Sequence, residues 1–262
     1  MQDPKQKTVS SKQANDSVAP HPVLSDYYES AETRRKRVDG MFDSSAEHYD
    51  WICKIMSFGS GGWYRKQALL RAGMKDGMRV LDVGAGTGEV SLLAQDLVGD
   101  KGCVIALDPS SGMLGQARKN GVKRASMGLG EALPFPDNSF DMLTMGFALR
   151  HVADLRSAFK EYLRVLKPSG KLLLLEISKP PSALSTAFLK AYMKGVVPLA
   201  TRIFRRSADA EELMKYYWDT IEQCVPPHTI VEALKDSEGL EAKRHVVMGL
   251  FSEYSATKAD QS

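Results

Sequence analysis

The sequence predicts an α/β fold, a largely parallel sheet with helices on both faces. Three observations carry that expectation. Short apolar runs recur at 79–83, 104–107, 140–145 and 171–176. A stretch with helical spacing follows each of the first three. The first run also ends in glycines, Gly84-Ala-Gly86-Thr-Gly88, which open directly on helical spacing. Apolar runs closed by glycine read as strands buried on both faces. Repeated strand–helix units make such strands parallel, because the crossover has a fixed hand.

Residues 1–24 are polar, contain no apolar run of signal-peptide length, and are expected to form a disordered tail. Residues 25–75 read as an N-terminal helical cap. Helical pieces separated by loops are expected from His21 to Trp63, dense in aromatics (Tyr27, Tyr28, Phe42, Tyr49, Trp51, Phe58, Trp63), and Gly59-Ser-Gly-Gly62 precedes a second helix. Residues 76–182 form the predicted Rossmann-like core. Its strands are Arg79–Val83, Val104–Leu107, Phe140–Met145 and Lys171–Glu176, and its helices are Glu89–Leu97, Ser111–Lys119 and Leu155–Leu166. Pro168-Ser-Gly170 supplies the turn before the last strand.

Residues 183–240 read as a lid or substrate insertion. The stretch 183–206 is apolar yet carries Lys190, Lys194, Arg202, Arg205 and Arg206, and Pro198 is expected to break or kink any helix there. Residues 241–262 offer two strand-like runs around Gly249 and a tail, read as an antiparallel hairpin at the sheet edge.

The 262 residues suffice for one large domain with a substantial core. Net charge is +3, and no basic stripe points to nucleic acid. Cys53, Cys103 and Cys224 are scattered, so neither a disulfide framework nor a metal site is expected, and free thiols suit a cytoplasmic protein. No run of about 18 apolar residues marks a membrane span.

The glycine loop is the most informative feature. A dinucleotide fingerprint needs its third glycine at position 89, which is Glu89; the third glycine here is Gly88. That argues against a nicotinamide cofactor. Asp108 stands twenty residues past Gly88 at the end of the next strand, where a carboxylate accepts from the hydroxyls of a ribose. S-adenosyl-L-methionine has a ribose but no phosphate, so Gly84-x-Gly86-x-Gly88 following Asp82 suits it.

Several further segments carry a resemblance. Met41-Phe-Asp-Ser-Ser-Ala-Glu-His-Tyr-Asp50, the glycine loop, Leu107-Asp108-Pro109-Ser-Ser-Gly-Met113 and Glu131-Ala-Leu-Pro-Phe-Pro-Asp-Asn-Ser-Phe-Asp141 are similar to the ubiquinone/menaquinone biosynthesis C-methyltransferase family. So are Phe147-Ala-Leu-Arg150-His151-Val152, Tyr162-Leu-Arg-Val-Leu-Lys-Pro168 and Leu175-Glu-Ile-Ser-Lys-Pro180. The resemblance covers about residues 41–180. It implies a class I methyltransferase sheet of seven strands with the last antiparallel, and cofactor contacts from Thr87, Asp108, Leu129, Gly130 and Gly146. Asp82, Gly84, Ala85, Gly86, Gly88, Pro109, Met113 and Glu131 complete the expected cofactor-binding set. Leu129 replaces a polar residue of the family, Gly146 a small polar one, and His151 an asparagine.

Methyl transfer is an in-line displacement, so the enzyme mostly aligns the reacting atoms. A ring carbon becomes nucleophilic when a ring hydroxyl gives up its proton. His151 is the candidate base, or else a residue that only caps the next helix or sits on a loop. Arg150 stays protonated; it stabilises phenolate charge or orients a water, or else only pairs with Glu131 or Asp154. Tyr49 either covers the sulfonium with its ring or packs. His21, His228 and His245 carry no assignment. The expected acceptor is a lipid-soluble, prenylated quinol, with 183–206 as a lid or as an interfacial helix on anionic lipid. The alternatives are C- or O-methylation of another small aromatic or isoprenoid metabolite, and a non-catalytic subunit that binds S-adenosylmethionine.

Overall fold

A computed structural model describes residues 17–205, 208–237 and 241–260. One seven-stranded sheet organises it, with strands β1 (Arg79–Val83), β2 (Cys103–Asp108), β3 (Ala125–Met127), β4 (Phe140–Gly146), β5 (Leu166–Ile177), β6 (Lys243–Val247) and β7 (Phe251–Thr257). Their order is β3-β2-β1-β4-β5-β7-β6. The first five strands are parallel. Strand β7 runs antiparallel between β5 and β6, so the predicted hairpin at the edge is present. Strand order reverses between β1 and β4, which opens a crevice at their carboxyl ends.

The buried runs explain the strands. Residues 80–83 of β1 and 172–175 of β5 are buried, so both faces of the sheet need cover. One face packs on α5 (Leu155–Val165) and α9 (Pro227–Lys235), through Phe159, Tyr162, Ile230 and Leu234. The other packs on α2 (Gly61–Arg71) and α3 (Glu89–Val98), through Tyr64, Leu69, Val90 and Ala94. Helix α4 (Ser111–Lys119) follows β2.

A separate apolar cluster builds the cap. Helix α1 (Ala31–Met56) supplies Val38, Met41 and Ile52, and α8 (Ala208–Gln223) supplies Leu213, Tyr216, Tyr217 and Trp218. Instead of the separate pieces expected, α1 is one helix of 26 residues, opened by a capping box between Ser30 and Thr33. Its buried residues recur along one face, and that stripe holds the helix together through Gly40.

Three expectations change. Residues 17–24, assigned to a disordered tail, are pinned to the core; residues 1–16 lie outside the described residues. Val18 donates its N–H to Asp154 at 2.6 Å and accepts from Leu155, and Pro20 accepts from Val225. These backbone bonds were hidden by the polar composition of the segment. Pro198 does not end its helix. Helix α6 (Ala183–Ala191) runs through a π turn (Tyr192–Val196) into α7 (Val197–Arg205), and the wide turn just ahead of Pro198 absorbs the carbonyl clash its ring would cause. The stretch 183–240 is also not one insertion: α6–α8 join the cap, whereas α9 joins the layer on the sheet.

Candidate active site

Two confluent cavities lie at the carboxyl ends of β1, β2 and β4, under the cap. The larger holds about 1750 Å³ of empty space, its mouth included, and the smaller about 980 Å³. Tyr49, Gly84, Gly86, Gly146 and Phe147 line both and mark their junction.

The glycine loop shapes that junction. Gly84 has φ +62°, and a Cβ there would stand 2.5 Å from the Ala148 methyl. Gly86 has φ +56° and nothing within 4 Å of a Cβ, so a side chain would protrude into the empty space where a ligand approaches the backbone. Asp108 faces this loop. Its Oδ2 accepts from the Gly86 N–H at 2.8 Å and its Oδ1 from the Ser110 N–H at 2.9 Å. Each oxygen keeps a further acceptor site. Burial, with the negative charges of Asp39 and Asp43 adding, pushes Asp108 up to about 6 against the pull of those bonds.

Asp82 is committed differently. Thr144 Oγ1 donates to it at 2.9 Å and Ser91 Oγ at 2.6 Å, tying β1, β4 and α3 together, and burial pushes it up to about 6. It lines the smaller cavity with Ala85 and Thr87. Pro109, Met113, Leu129, Gly130 and Glu131 line the larger one. Gly88 lines neither; it caps the start of α3 in a left-handed conformation.

His151 ends a 3₁₀ turn (Leu149–His151) after β4 and lines the larger cavity. Its Nδ1 lies 3.2 Å from the Tyr216 hydroxyl, while its Nε2 is buried with no partner. Burial, with the positive charges of Arg150 and Arg34 next, holds it well below the usual imidazole range. The ring is therefore neutral near pH 7. Tyr49 meets Phe42 edge to face at 6.0 Å, and burial raises its phenol well above the usual range.

Arg150 corrects an expectation. It is 1% exposed and lines neither cavity. It pairs with Glu176, not with Glu131 or Asp154, and its Nε donates to Thr220 Oγ1 at 3.2 Å. Its guanidinium lies over the Tyr217 ring, 4.6 Å from the centroid. The Tyr217 side chain and the Leu149 and Arg150 backbone also lie against this pair and interact with it. Glu131 is taken by the Ala153 N–H, and Asp154 caps α5.

Sequence reading missed other wall residues. His21, Arg34 and Arg35 line the larger cavity. His21 Nδ1 donates to the Pro22 carbonyl at 2.7 Å, Nε2 accepts from Arg34 at 3.2 Å, and burial pushes the imidazole down to about 4. Arg65, Glu89 and Tyr217 line the smaller cavity, beside an apolar wall of Met56, Ile177, Leu189, Met193, Ile221 and Phe251. Of these, Glu89 alone carried a signal, as the residue standing where a dinucleotide fingerprint has glycine. Among the described residues, no group of three or more His, Cys, Asp or Glu is placed to hold a metal ion.

A crevice at the reversal of strand order, a glycine loop whose backbone faces open space, and an acidic residue ending the second strand define an S-adenosylmethionine-dependent methyltransferase of class I. The sequence profile of the ubiE/COQ5 methyltransferase family matches residues 30–253. The chain belongs to that family. It is 38% identical over 191 residues to the ubiquinone/menaquinone biosynthesis C-methyltransferase UbiE of Shewanella sediminis, covering 70% of this chain and 76% of that protein. The UbiE of Shewanella sp. strain ANA-3 is also 38% identical, over 71% of this chain and 78% of its own.

Solved structures share the fold at lower identity. A methyltransferase of Thermotoga maritima, described as a possible histamine N-methyltransferase, superimposes with a TM-score of 0.59 at 21% identity, over 84% of this chain and 99% of its own. One from Aquifex aeolicus gives 0.55 at 21%, over 79% and 97%.

Proposed function

We propose that this enzyme methylates a ring carbon of a prenylated quinol in quinone biosynthesis. The carrying observation is the apolar wall of the smaller cavity, which joins the glycine loop at Tyr49, Gly146 and Phe147. That wall suits a hydrocarbon tail beside the point of methyl transfer. The relatives named above act, by their names, in the same biosynthesis.

S-adenosylmethionine supplies an electrophilic methyl group on a sulfonium sulfur. The residues present fit it: Gly86 leaves open space for close approach, and Asp108 keeps acceptor sites for two ribose hydroxyls. Met113, Leu129 and Gly130 wall the adenine side, with Leu129 offering contact and no hydrogen bond. Tyr49 presents an aromatic ring at the junction, where a sulfonium gains from a π face. Neutral His151 offers Nε2 as acceptor for the phenolic hydroxyl that activates the ring. Arg150 is a positioning residue. It holds Tyr217 under its guanidinium and is itself fixed by Glu176 and Thr220. Incubation with methyl-labelled S-adenosylmethionine and bacterial lipid extract tests the reading. Label on the ring carbon of a prenylated quinol is the expected result; label on an oxygen or on an untailed metabolite overturns it.

The outer face of α6–α7 extends the reading to a membrane surface. No helix among the described residues is long and apolar enough to cross a membrane. Leu184, Phe188, Leu199, Ile203 and Phe204 are nevertheless exposed, as is Phe58, which stacks on Tyr192. The cations expected to meet anionic lipid are partly spent: Lys190 pairs with Glu222 and Lys194 with Asp219, each at 2.8 Å. Arg206 and the Arg205 side chain lie outside the described residues. Apolar insertion, more than charge, is then the driving force. A phenylalanine taken out of water is worth about 1.5–3 kcal/mol. Replacing Phe188 and Phe204 with Ser should lower vesicle sedimentation at least about tenfold, with little response to salt. Equal sedimentation of variant and wild type would remove this face from the membrane.

A further inference from the structure

Cavity-lining charges of the smaller pocket are not accounted for by an apolar tail. Arg65 and Glu89 stand there together, with Arg65 Nη2 2.6 Å from Glu89 Oε2. Arg65 is only 9% exposed, so this is a desolvated cation beside the wall proposed for the tail. Its guanidinium is held in place. It lies over the Phe147 ring, 5.2 Å from the centroid, and crosses Gly61 so closely that a Cβ there would stand 2.6 Å from Nη1. Glu89 Oε2 is buried and receives no directed hydrogen bond, although Arg65 is near. The ion pair thus leaves hydrogen-bonding capacity on Glu89 unused.

We infer that Arg65 and Glu89 form a clamp for the α-amino acid end of the methyl donor, Arg65 taking its carboxylate and Glu89 its ammonium. The inference rests on the reading of this site as an S-adenosylmethionine pocket. Asp108, Met113, Leu129 and Gly130 line the larger cavity, where the proposed function seats the adenosine end. Gly84 and Gly86 line both cavities, so a ligand lying along the loop carries its other end into the smaller one. That end is a zwitterion. Asp82 is also on this wall, but each of its oxygens already accepts from a hydroxyl. Arg65 and Glu89 remain as the complementary charges. A zwitterion laid against them gives two opposed ion pairs, so neither protein charge is left uncompensated in a poorly hydrated pocket. A planar guanidinium suits a carboxylate in bidentate fashion. The clamp also gives a role to the acidic residue at the position where a dinucleotide-binding loop needs glycine.

Calorimetry with two probes tests this. S-adenosylhomocysteine carries the amino acid end, and 5′-methylthioadenosine lacks it. For Arg65→Gln and for Glu89→Gln, the dissociation constant of S-adenosylhomocysteine should rise at least about tenfold, while that of methylthioadenosine stays within about twofold. Arg65→Lys should fall between wild type and Arg65→Gln. The wild-type protein offers a test that needs no variant: decarboxylated S-adenosylmethionine should bind at least about tenfold more weakly than S-adenosylmethionine. Equal loss for both probes would make the pair structural and overturn the clamp, as would unchanged S-adenosylhomocysteine binding in Arg65→Gln or equal wild-type affinity for the two methyl donors. If wild type bound neither adenosine probe, the cofactor reading would fail with it.

Discussion

Arg150→Ala is expected to cost about 3–5 kcal/mol of folding stability, the usual loss when one partner of a buried ion pair is removed. The substitution leaves Glu176, 2% exposed, without its countercharge. It also removes the cation from the Tyr217 ring and the donor to Thr220. Burial already raises Glu176 above the usual carboxyl range even with Arg150 opposing that shift. Without the arginine the folded state must hold a proton that the unfolded chain releases near its ordinary value of about 4.3. Folded protein then binds more protons than unfolded, so the variant should lose stability as pH rises above that value, by up to about 1.4 kcal/mol per unit. Urea unfolding at several pH values measures this. The double variant Arg150→Met, Glu176→Leu should recover most of the loss, because replacing a buried pair with apolar groups is often neutral. A loss below 1 kcal/mol in the single variant would mean that the pair is open to water.

His151→Leu is expected to reduce kcat about 10²-fold, the low end of what a general base contributes. The low end follows from burial and neighbouring arginines, which hold this imidazole well below its usual range and make it a weak proton acceptor. His151→Asn restores the family residue and a hydrogen-bond acceptor but takes no proton, so it should keep more activity than His151→Leu and less than the wild type. The pH profile separates His151 from Asp108. The proposed ribose contact uses the ionised Asp108 carboxylate, whose pKa is pushed up to about 6. Affinity for the methyl donor should therefore be full above that value and fall about tenfold per unit below it. That limb should survive in His151→Asn and disappear in Asp108→Asn at a uniformly lower affinity. A limb near the ordinary imidazole value that vanishes in His151→Asn would falsify the neutral-histidine account.

Much of the sheet was legible because burial on both faces writes itself as short apolar runs. β1, β4 and the apolar part of β5 are such runs, and the Gly249 turn marked the hairpin. β3 was missed because Ala125-Ser-Met127 is a three-residue strand at the sheet edge with no buried side chain. The helical rise of α1 was legible but not its continuity, which depends on α8 covering Val38, Met41 and Ile52. The meeting of the glycine loop with Asp108 was legible because it depends on spacing along the chain.

The partner of Arg150 was not, because Glu131 and Asp154 are nearer or more exposed candidates in sequence, whereas Glu176 reaches it only through the parallel pairing of β4 with β5. His21 and Arg65 were invisible for a related reason. Nothing local distinguishes a polar N-terminal strap or a basic residue on α2 until the cap closes over the sheet. The same closure places Tyr217 on the wall of the smaller cavity.

The central claim is that a tailed aromatic ring meets the methyl donor at the junction of the two cavities. Steady-state kinetics with paired acceptors tests it most directly. One is a prenylated hydroquinone and the other the same ring without the tail, with product position read by mass spectrometry and NMR. Burying even three methylene-sized groups at about 0.8 kcal/mol each favours the tailed acceptor by more than about 2 kcal/mol, so kcat/KM should be at least about thirtyfold higher for it. The new methyl should sit on a ring carbon. Equal kcat/KM for the two acceptors, or a methyl on oxygen, would contradict the account.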